Sequence, residues 1–296
     1  MKIAVDGMGG DYAPRVVVEG AAQASSEYGF DIEIVGDRSK IEAEINELSS
    51  IPSNIHICHA SETIGMNESG AASVRSKKDS SICVAVELAK EGKVNAVVSA
   101  GNTAAFVSAA MLSLRRLEGV ERPGIAVLLP SLKGNRKKPK IGLLNIGEES
   151  TKGPEFLKET HRLLELSKLN FQGNAEGKDI FAGKFDVVVC DGYTGNVVLK
   201  VAESIAETVA TFVKKELKKG PLTLLGGILS SPAFDAMKKQ IDYAEYGGAP
   251  LLGVNGICII SHGRSTAKAI KNAIRVAGEF VEHQVNRHIV EAIKRF

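Results

Sequence analysis

Apolar and polar positions follow two periods along the chain. Short, nearly continuous apolar runs stand at residues 2–5, 30–35, 55–58, 94–99, 124–129, 141–146, 185–189 and 256–260. Runs of that length, closed by small polar residues and lacking strict alternation, read as strands buried on both faces. Segments with apolar residues three and four apart lie between them. They predict helices over 14–28, 40–48, 81–91, 104–117 and up to 166, a long helix reaching 219, one over 231–243, and one from 266 almost to the end. Strand and helix alternate through most of the chain. That order implies βαβ units, a largely parallel sheet and an α/β/α sandwich.

No Pro- or Ser-rich linker divides the pattern, so residues 1–296 read as a single catalytic domain. The segment of about 214–245 stands apart as a helical hairpin, because Gly220-Pro221 breaks the long helix and Ser230-Ser231-Pro232 opens another. Residues 61–79 are polar and weakly periodic, and read as a functional loop with a short helix. Residues 131–140 and 246–253 read as loops.

The most informative stretch is Phe185–Lys200. Its apolar strand ends in Asp191-Gly-Tyr-Thr-Gly-Asn196 and runs directly into the long helix. Ligands of open α/β sheets bind outside the carboxyl ends of the strands, and a helix start presents unpaired amides to anions. The strand at 94–99 repeats the design, ending in Ala100-Gly-Asn-Thr103. In a parallel sheet these two turns share an edge with Asp6–Asp11, Gly147–Gly153 and Ser261–Ser265. Together they offer glycine amides, two asparagines, several hydroxyls and the cations Lys152 and Arg264, a setting for a phosphate or an oxyanion.

Composition narrows the classes. With 37 Lys+Arg against 35 Asp+Glu, and aromatic residues at 5% without Trp, the chain has neither the field nor the stacking platforms of a nucleic-acid binder. Cys58, Cys83, Cys190 and Cys258 show no metal spacing, three lie in apolar runs, and the pattern fits a reducing cytoplasm. No metal site is expected. The start of the chain meets Asp6 too early for a signal peptide, and no run approaches the ~20 apolar residues of a spanning helix. A GxSxG elbow is absent, which disfavours a serine hydrolase. Gly7-Met-Gly9-Gly10, with Asp37 at the end of the next strand, invites comparison with a dinucleotide fingerprint, but Tyr12 occupies the third glycine's place.

Seven stretches, in order from one end of the chain to the other, resemble the PlsX family of bacterial phosphate acyltransferases. They are Met8-Gly-Gly-Asp11 with Ala13-Pro14; Val74-Arg75 with Lys77-Lys78 and Ser80-Ser81; Ser99-Ala-Gly-Asn-Thr103; Leu143-Leu-Asn-Ile-Gly147 with Glu149 and Lys152-Gly153; Asp191–Asn196 with Leu199-Lys200; Tyr246-Gly-Gly-Ala249; and His262-Gly263. The resemblance implies transfer of a fatty acyl group from acyl-acyl carrier protein to orthophosphate. It implies a homodimer, a fold like the isocitrate and isopropylmalate dehydrogenases, and no redox cofactor. It also implies an early place in phospholipid synthesis, with the product passing to a membrane glycerol-phosphate acyltransferase. The family's further strand–helix unit, with an Asp-x-Gly-Ala-Asn turn, has no counterpart here. Only residues 131–140 stand in its place, so the unit is either lost or belongs to a stretch outside this sequence.

On that resemblance, the expected catalytic residues are Lys152, Asn196 and His262. Lys152 would bring charge to the phosphate, Asn196 would hold phosphate or oxyanion, and His262 would protonate the leaving thiolate. Gly101, Asn102, Thr103, Gly195, Asp191 and Asp6 are expected to bind phosphate or acyl phosphate, with orienting the neighbouring turns as the plainer reading of the two aspartates. Each has a plainer reading: a helix cap for the Gly-Asn pairs, a solvated lysine, a structural histidine. Arg75, Lys77 and Lys78 read as a dock for the acidic carrier protein or as a solvated helix face. Leu222, Leu224, Leu225, Ile228 and Leu229, among the lysines of 214–239, read as a shallow, reversible contact with an anionic membrane surface, as a dimer interface, or as a cover for the acyl chain. A nicotinamide dehydrogenase and a non-catalytic carrier- or membrane-binding relative are the rival functions.

Overall fold

The computed structural model describes residues 1–130, 138–241 and 246–294, with side chains throughout except at 238–241. Residues 131–137 of the expected loop 131–140, the end of the helix predicted to 243, and the side chains of Lys238 and Lys239 lie outside the described residues. The chain clusters into two compact units, residues 1–128 with 242–295 and residues 129–241. The strands form two sheets, one in each unit. Apolar runs mark strands as buried, but they carry no label for the partner strand.

The first unit holds β1 (Lys2–Asp6), β2 (Asp31–Gly36), β3 (Ile55–His59), β4 (Ala96–Ser99), β5 (Gly124–Ile125), β9 (Ala249–Leu252) and β10 (Ile257–Ile260). They form a sheet in the order β3-β2-β1-β4-β10-β9-β5. The five strands from β3 to β10 run parallel, and β9 and β5 close the edge antiparallel. Side chains alternate between faces along each strand. Ile3, Val5, Ile34, Val98 and Ile259 pack against α1 (Arg15–Tyr28) and, from the carboxyl end of the chain, α11 (Ala267–Glu282). Ala4, Val35, Val97 and Cys258 pack against α4 (Ser81–Lys90) and α5 (Thr103–Ser113). This is the expected α/β/α layering. Ile274 is fully buried, and its truncation to Ala should cost about 2–5 kcal/mol.

Several boundaries moved. The apolar run 124–129 contributes only the two-residue β5, because it pairs at a sheet edge and Ile125, Val127 and Leu128 are exposed. The glycine-rich loop 246–253 contains β9, whose strand character the flanking glycines hid. The polar segment 61–79 does carry a short helix, α3 (Gly70–Ser76). α2 (Arg38–Asn46) starts at Asp37, whose carboxylate accepts the amides of Ser39 and Lys40. Asp37 is thus a helix cap. Gln284, in the left-handed conformation, separates α11 from α12 (Val285–Ile293).

The second unit holds β6 (Ile141–Leu144), β7 (Phe171–Ala175) and β8 (Val187–Val189), parallel and ordered β7-β6-β8. Its helices are α6 (Glu155–Leu166), α7 (Gly177–Ala182), α8 (Gly192–Leu217), α9 (Pro221–Leu229) and α10 (Ser231–Ile241). Where the hairpin is expected, around 214–245, the described residues to 241 run through the end of α8, α9 and α10, the apolar segment 221–229 being itself helical behind Pro221.

Candidate active site

Within the first unit, β1, β4 and β10 are adjacent and parallel, so the turns behind Asp6, Ser99 and Ile260 leave one edge together. Asp6 is 1% exposed, and its carboxylate accepts the Ser99 hydroxyl at 2.7 Å and the Met8 amide at 3.2 Å. Burial raises its pKa, against hydrogen bonds from Ser81, Ser99, Met8 and Gly9. The Ser99 hydroxyl in turn accepts the Gly101 amide at 3.1 Å. Gly9 lets the first turn lie on this network; a Cβ there would stand 2.7 Å from the Gly101 nitrogen. Asp6 is therefore a buried hub that sets the 99–103 turn through Ser99. Ser99, its direct partner, drew attention only as a neighbour of Gly101.

Asn102 caps α5 through the Ala105 amide at 3.0 Å. Its Nδ2 donates to the carbonyls of Gly65, Met66 and Glu68 at 3.1, 3.2 and 2.9 Å. Both ends of this amide thus serve the protein's own backbone, and the side chain staples the 65–68 loop to the helix start. Gly101 is buried and Thr103, the first helical residue, is exposed. His262 accepts the Arg264 amide on Nδ1 at 3.1 Å, so the neutral ring carries its proton on Nε2. The Gly263 carbonyl accepts the Asp11 amide at 2.7 Å, tying the first and last turns together.

The basic cluster divides. Lys77 donates to Glu68 at 2.7 Å and to the Thr63 carbonyl at 2.9 Å. Glu68 also accepts the Gly65 amide and the Ser73 hydroxyl. The Lys77 hydrogen bond leads these in lowering the Glu68 pKa to about 2. Lys77 is engaged in holding its own loop, whereas Arg75 and Lys78 are exposed.

Within the second unit, β6 and β8 pair in parallel, and their turns leave a common edge. α8 begins at Gly192, earlier than the sequence suggests, with Asp191 as its cap; the carboxylate accepts the Thr194 amide at 2.9 Å. The Thr194 side chain leads in lowering the Asp191 pKa, followed by this amide. Gly195 and Asn196 consequently stand inside the helix, with Asn196 exposed. The two Gly-Asn pairs are not equivalent: Asn102 is a cap, and Asn196 is a helical surface residue. Lys152 is exposed in the turn behind β6. Its carbonyl accepts Nδ2 of Asn145 at 3.0 Å, and its amide donates to the Glu149 carbonyl at 3.1 Å. Among the described residues, no group of three or more His, Cys, Asp or Glu is placed to hold a metal.

The sequence model of a family described as "Fatty acid synthesis protein" matches residues 1–138 and 134–288. A phosphate acyltransferase of Geotalea daltonii is 45% identical over 327 positions, covering 99% of this chain and 94% of its own. The chain belongs to the phosphate acyltransferase family. It is an acyltransferase by that membership. Its relative in Dictyoglomus turgidum, also a phosphate acyltransferase, is 44% identical over 330 positions that take in 100% of this chain and 98% of its own. Since this chain has 296 residues, that relative carries residues with no counterpart here. The two stretches matched by the family model meet at 134–138, where the absent strand–helix unit was expected. The fold is shared with a phosphotransacetylase from Streptococcus pyogenes, at a TM-score of 0.61, 18% identity and coverage of 95% and 94% of the two chains. It is also shared with 4-hydroxythreonine-4-phosphate dehydrogenase from Klebsiella pneumoniae, at 0.53, 13%, 95% and 99%.

Proposed function

We propose that this chain transfers a fatty acyl group from acyl-acyl carrier protein to orthophosphate, giving acyl phosphate for phospholipid synthesis. The observation that carries the reading is the near-complete likeness to relatives named phosphate acyltransferase. Phosphate, partly dianionic at neutral pH, is already a nucleophile. An oxygen of it attacks the thioester carbonyl, the carbon–sulfur bond breaks, and the carrier's thiolate takes up a proton. The protein's task is to align phosphate and to stabilise the tetrahedral oxyanion.

In this reading the start of α5, with Gly101 and Thr103, offers amides and a hydroxyl to an oxyanion. Asn102 positions that start rather than reaching the ligand. The turn of Lys152 supplies positive charge, and Gly195 and Asn196 on α8 supply polar contacts beside it. Asp6 and Asp191 hold the turns. His262 is supported as proton donor by the tautomer that the Arg264 amide selects. Arg75 and Lys78 are left to meet the acidic carrier, with Lys77 setting the shape of their loop.

The finer assignments follow the same logic. Val197, Val201, Ile205, Val209 and Phe212 are exposed at helical spacing along α8, which supports a second copy of the chain as partner. Leu222, Leu224, Leu225, Ile228 and Leu229 of α9 are all exposed, which supports reversible contact with an anionic membrane surface, where a glycerol-phosphate acyltransferase would take the product. No described helix is long and apolar enough to cross a membrane.

The test is phosphate-dependent loss of thioester from acyl carrier protein, with the product trapped as hydroxamate by hydroxylamine. Trapped product supports the reading; its absence with folded, full-length chain overturns it. The residues that the relatives have and this chain lacks favour a second reading, a non-catalytic binder of acyl carrier protein. Carrier binding without turnover is the result that would select it.

A further inference from the structure

The turn that carries Lys152 is held from behind by two buried amides. Asn145, 8% exposed at the end of β6, donates from Nδ2 to the Lys152 carbonyl, while its Oδ1 accepts the Ile146 amide at 2.8 Å. Gly153 makes this approach possible: its φ is +86°, and a Cβ there would stand 2.6 Å from Asn145 Oδ1. Asn174, 3% exposed on β7, donates from Nδ2 to the Glu149 carbonyl at 2.8 Å. The same carbonyl accepts the Lys152 amide. Both backbone groups of Lys152 are thus anchored, one through Asn145 and one through the carbonyl that Asn174 holds.

A primary amide donates at one end and accepts at the other, so its usefulness depends on which way round it stands. Asn174 Oδ1 lies 2.9 Å from Nδ1 of His161, which is 7% exposed on α6. An amide oxygen cannot donate, so the imidazole carries its proton on Nδ1. The ring is held in turn by an edge-on contact with Phe171, ring centres 5.0 Å apart; Glu165, 3.3 Å from Nε2, adds an ion pair only when the ring is protonated on both nitrogens. A flipped Asn174 would set its oxygen against the Glu149 carbonyl and its NH2 against the Nδ1 proton, two repulsive contacts in place of two hydrogen bonds.

We infer that His161 is a positioning residue for Lys152: it fixes the orientation of the Asn174 amide, and through the Glu149 carbonyl it sets the turn from which Lys152 meets phosphate. The inference rests on the reading of that turn as a phosphate site. The chain His161–Asn174–Glu149–Lys152 touches the reacting atoms only through its last member.

The test uses the full chain and compares kcat with KM for orthophosphate. His161→Phe keeps a ring against Phe171 but removes the donor. His161→Asn returns an N–H close to the place of Nδ1. Asn174→Asp puts an acceptor opposite the Glu149 carbonyl. The expected result is a KM for phosphate raised about tenfold in His161→Phe and Asn174→Asp, the effect of one misplaced hydrogen bond. kcat should change less than about twofold, and His161→Asn should recover most of the loss. The double variant His161→Phe/Asn174→Asp should be no worse than either single one, since both break the same link. An unchanged phosphate KM in His161→Phe, or failure of His161→Asn to recover it, overturns the inference. If His161→Phe does not fold, Asn174→Asp decides, and an unchanged KM there overturns it too. Lys152→Ala separates the two levels. If it leaves the phosphate KM unchanged, the reading of the turn falls and this inference with it. If it raises KM while His161→Phe does not, only this inference falls.

Discussion

Asn102 and Asn196 carry the same side chain behind the same kind of strand, yet their surroundings give them opposite parts. Asn102 makes a cap bond and three bonds to loop carbonyls from a position 6% exposed. Asn102→Ala should therefore lower unfolding stability in urea by about 2 kcal/mol, a cap plus orphaned carbonyls. Asn196→Ala, on an exposed helical face, should change stability by less than about 0.5 kcal/mol, yet reduce acyl-phosphate formation by ~10²-fold if it serves the oxyanion. Glu68 gives a pH-dependent counterpart. Its folded pKa of about 2 lies below the ordinary glutamate value of 4.5, so its contribution is present above 4.5 and is lost as pH falls toward 2. The thermal midpoint of Glu68→Gln should lie below wild type at pH 7, and the gap should close as pH drops from 4.5 to 2. These residues show where sequence reading stops. Gly101-Asn102-Thr103 stands out as a turn in sequence. That Asn102 faces residues 65–68 does not, because the partners are carbonyls and any residue type has one.

At the level of elements, the periodicities located nearly all the strands and helices that hold the turns. Apolar periodicity works where one face is buried. It failed at β9, which is short, edge-placed and flanked by Gly247, Gly248 and Gly253, and at the short α7, whose pattern spans less than two turns. On α8 and α9 periodicity shows an apolar row without showing what covers it. Ile205→Glu should leave the secondary structure intact and halve the mass in light scattering if α8 faces a second copy. Leu225→Glu should lose flotation with anionic vesicles if α9 meets membrane, with acyl transfer in solution unaffected. Arg75 on α3 and Lys78 just behind it, both exposed, give the corresponding test for the carrier. In Arg75→Ala/Lys78→Ala, kcat/KM for acyl carrier protein should fall at low salt, and most of its dependence on ionic strength should vanish.

At the level of the molecule, the division into two sheets was not legible. Each strand announces its burial through Val, Ile and Leu, and β6, with the pattern IGLL, looks no different in kind from β4, with AVVS. The neighbours are chosen by tertiary fit. One consequence concerns the order in which the ribosome delivers the parts. The first unit is interrupted by residues 129–241, and β10, which sits between β4 and β9, is the last strand to be made. While the nascent chain emerges, β4 has a partner on one side only, and its other edge offers unpaired backbone groups until residue 260 is available. The second unit has all its strands by residue 189. The later-starting unit is thus the first able to complete its sheet, and the long interval before β10 arrives is when the exposed edge of β4 is open to pairing with other chains.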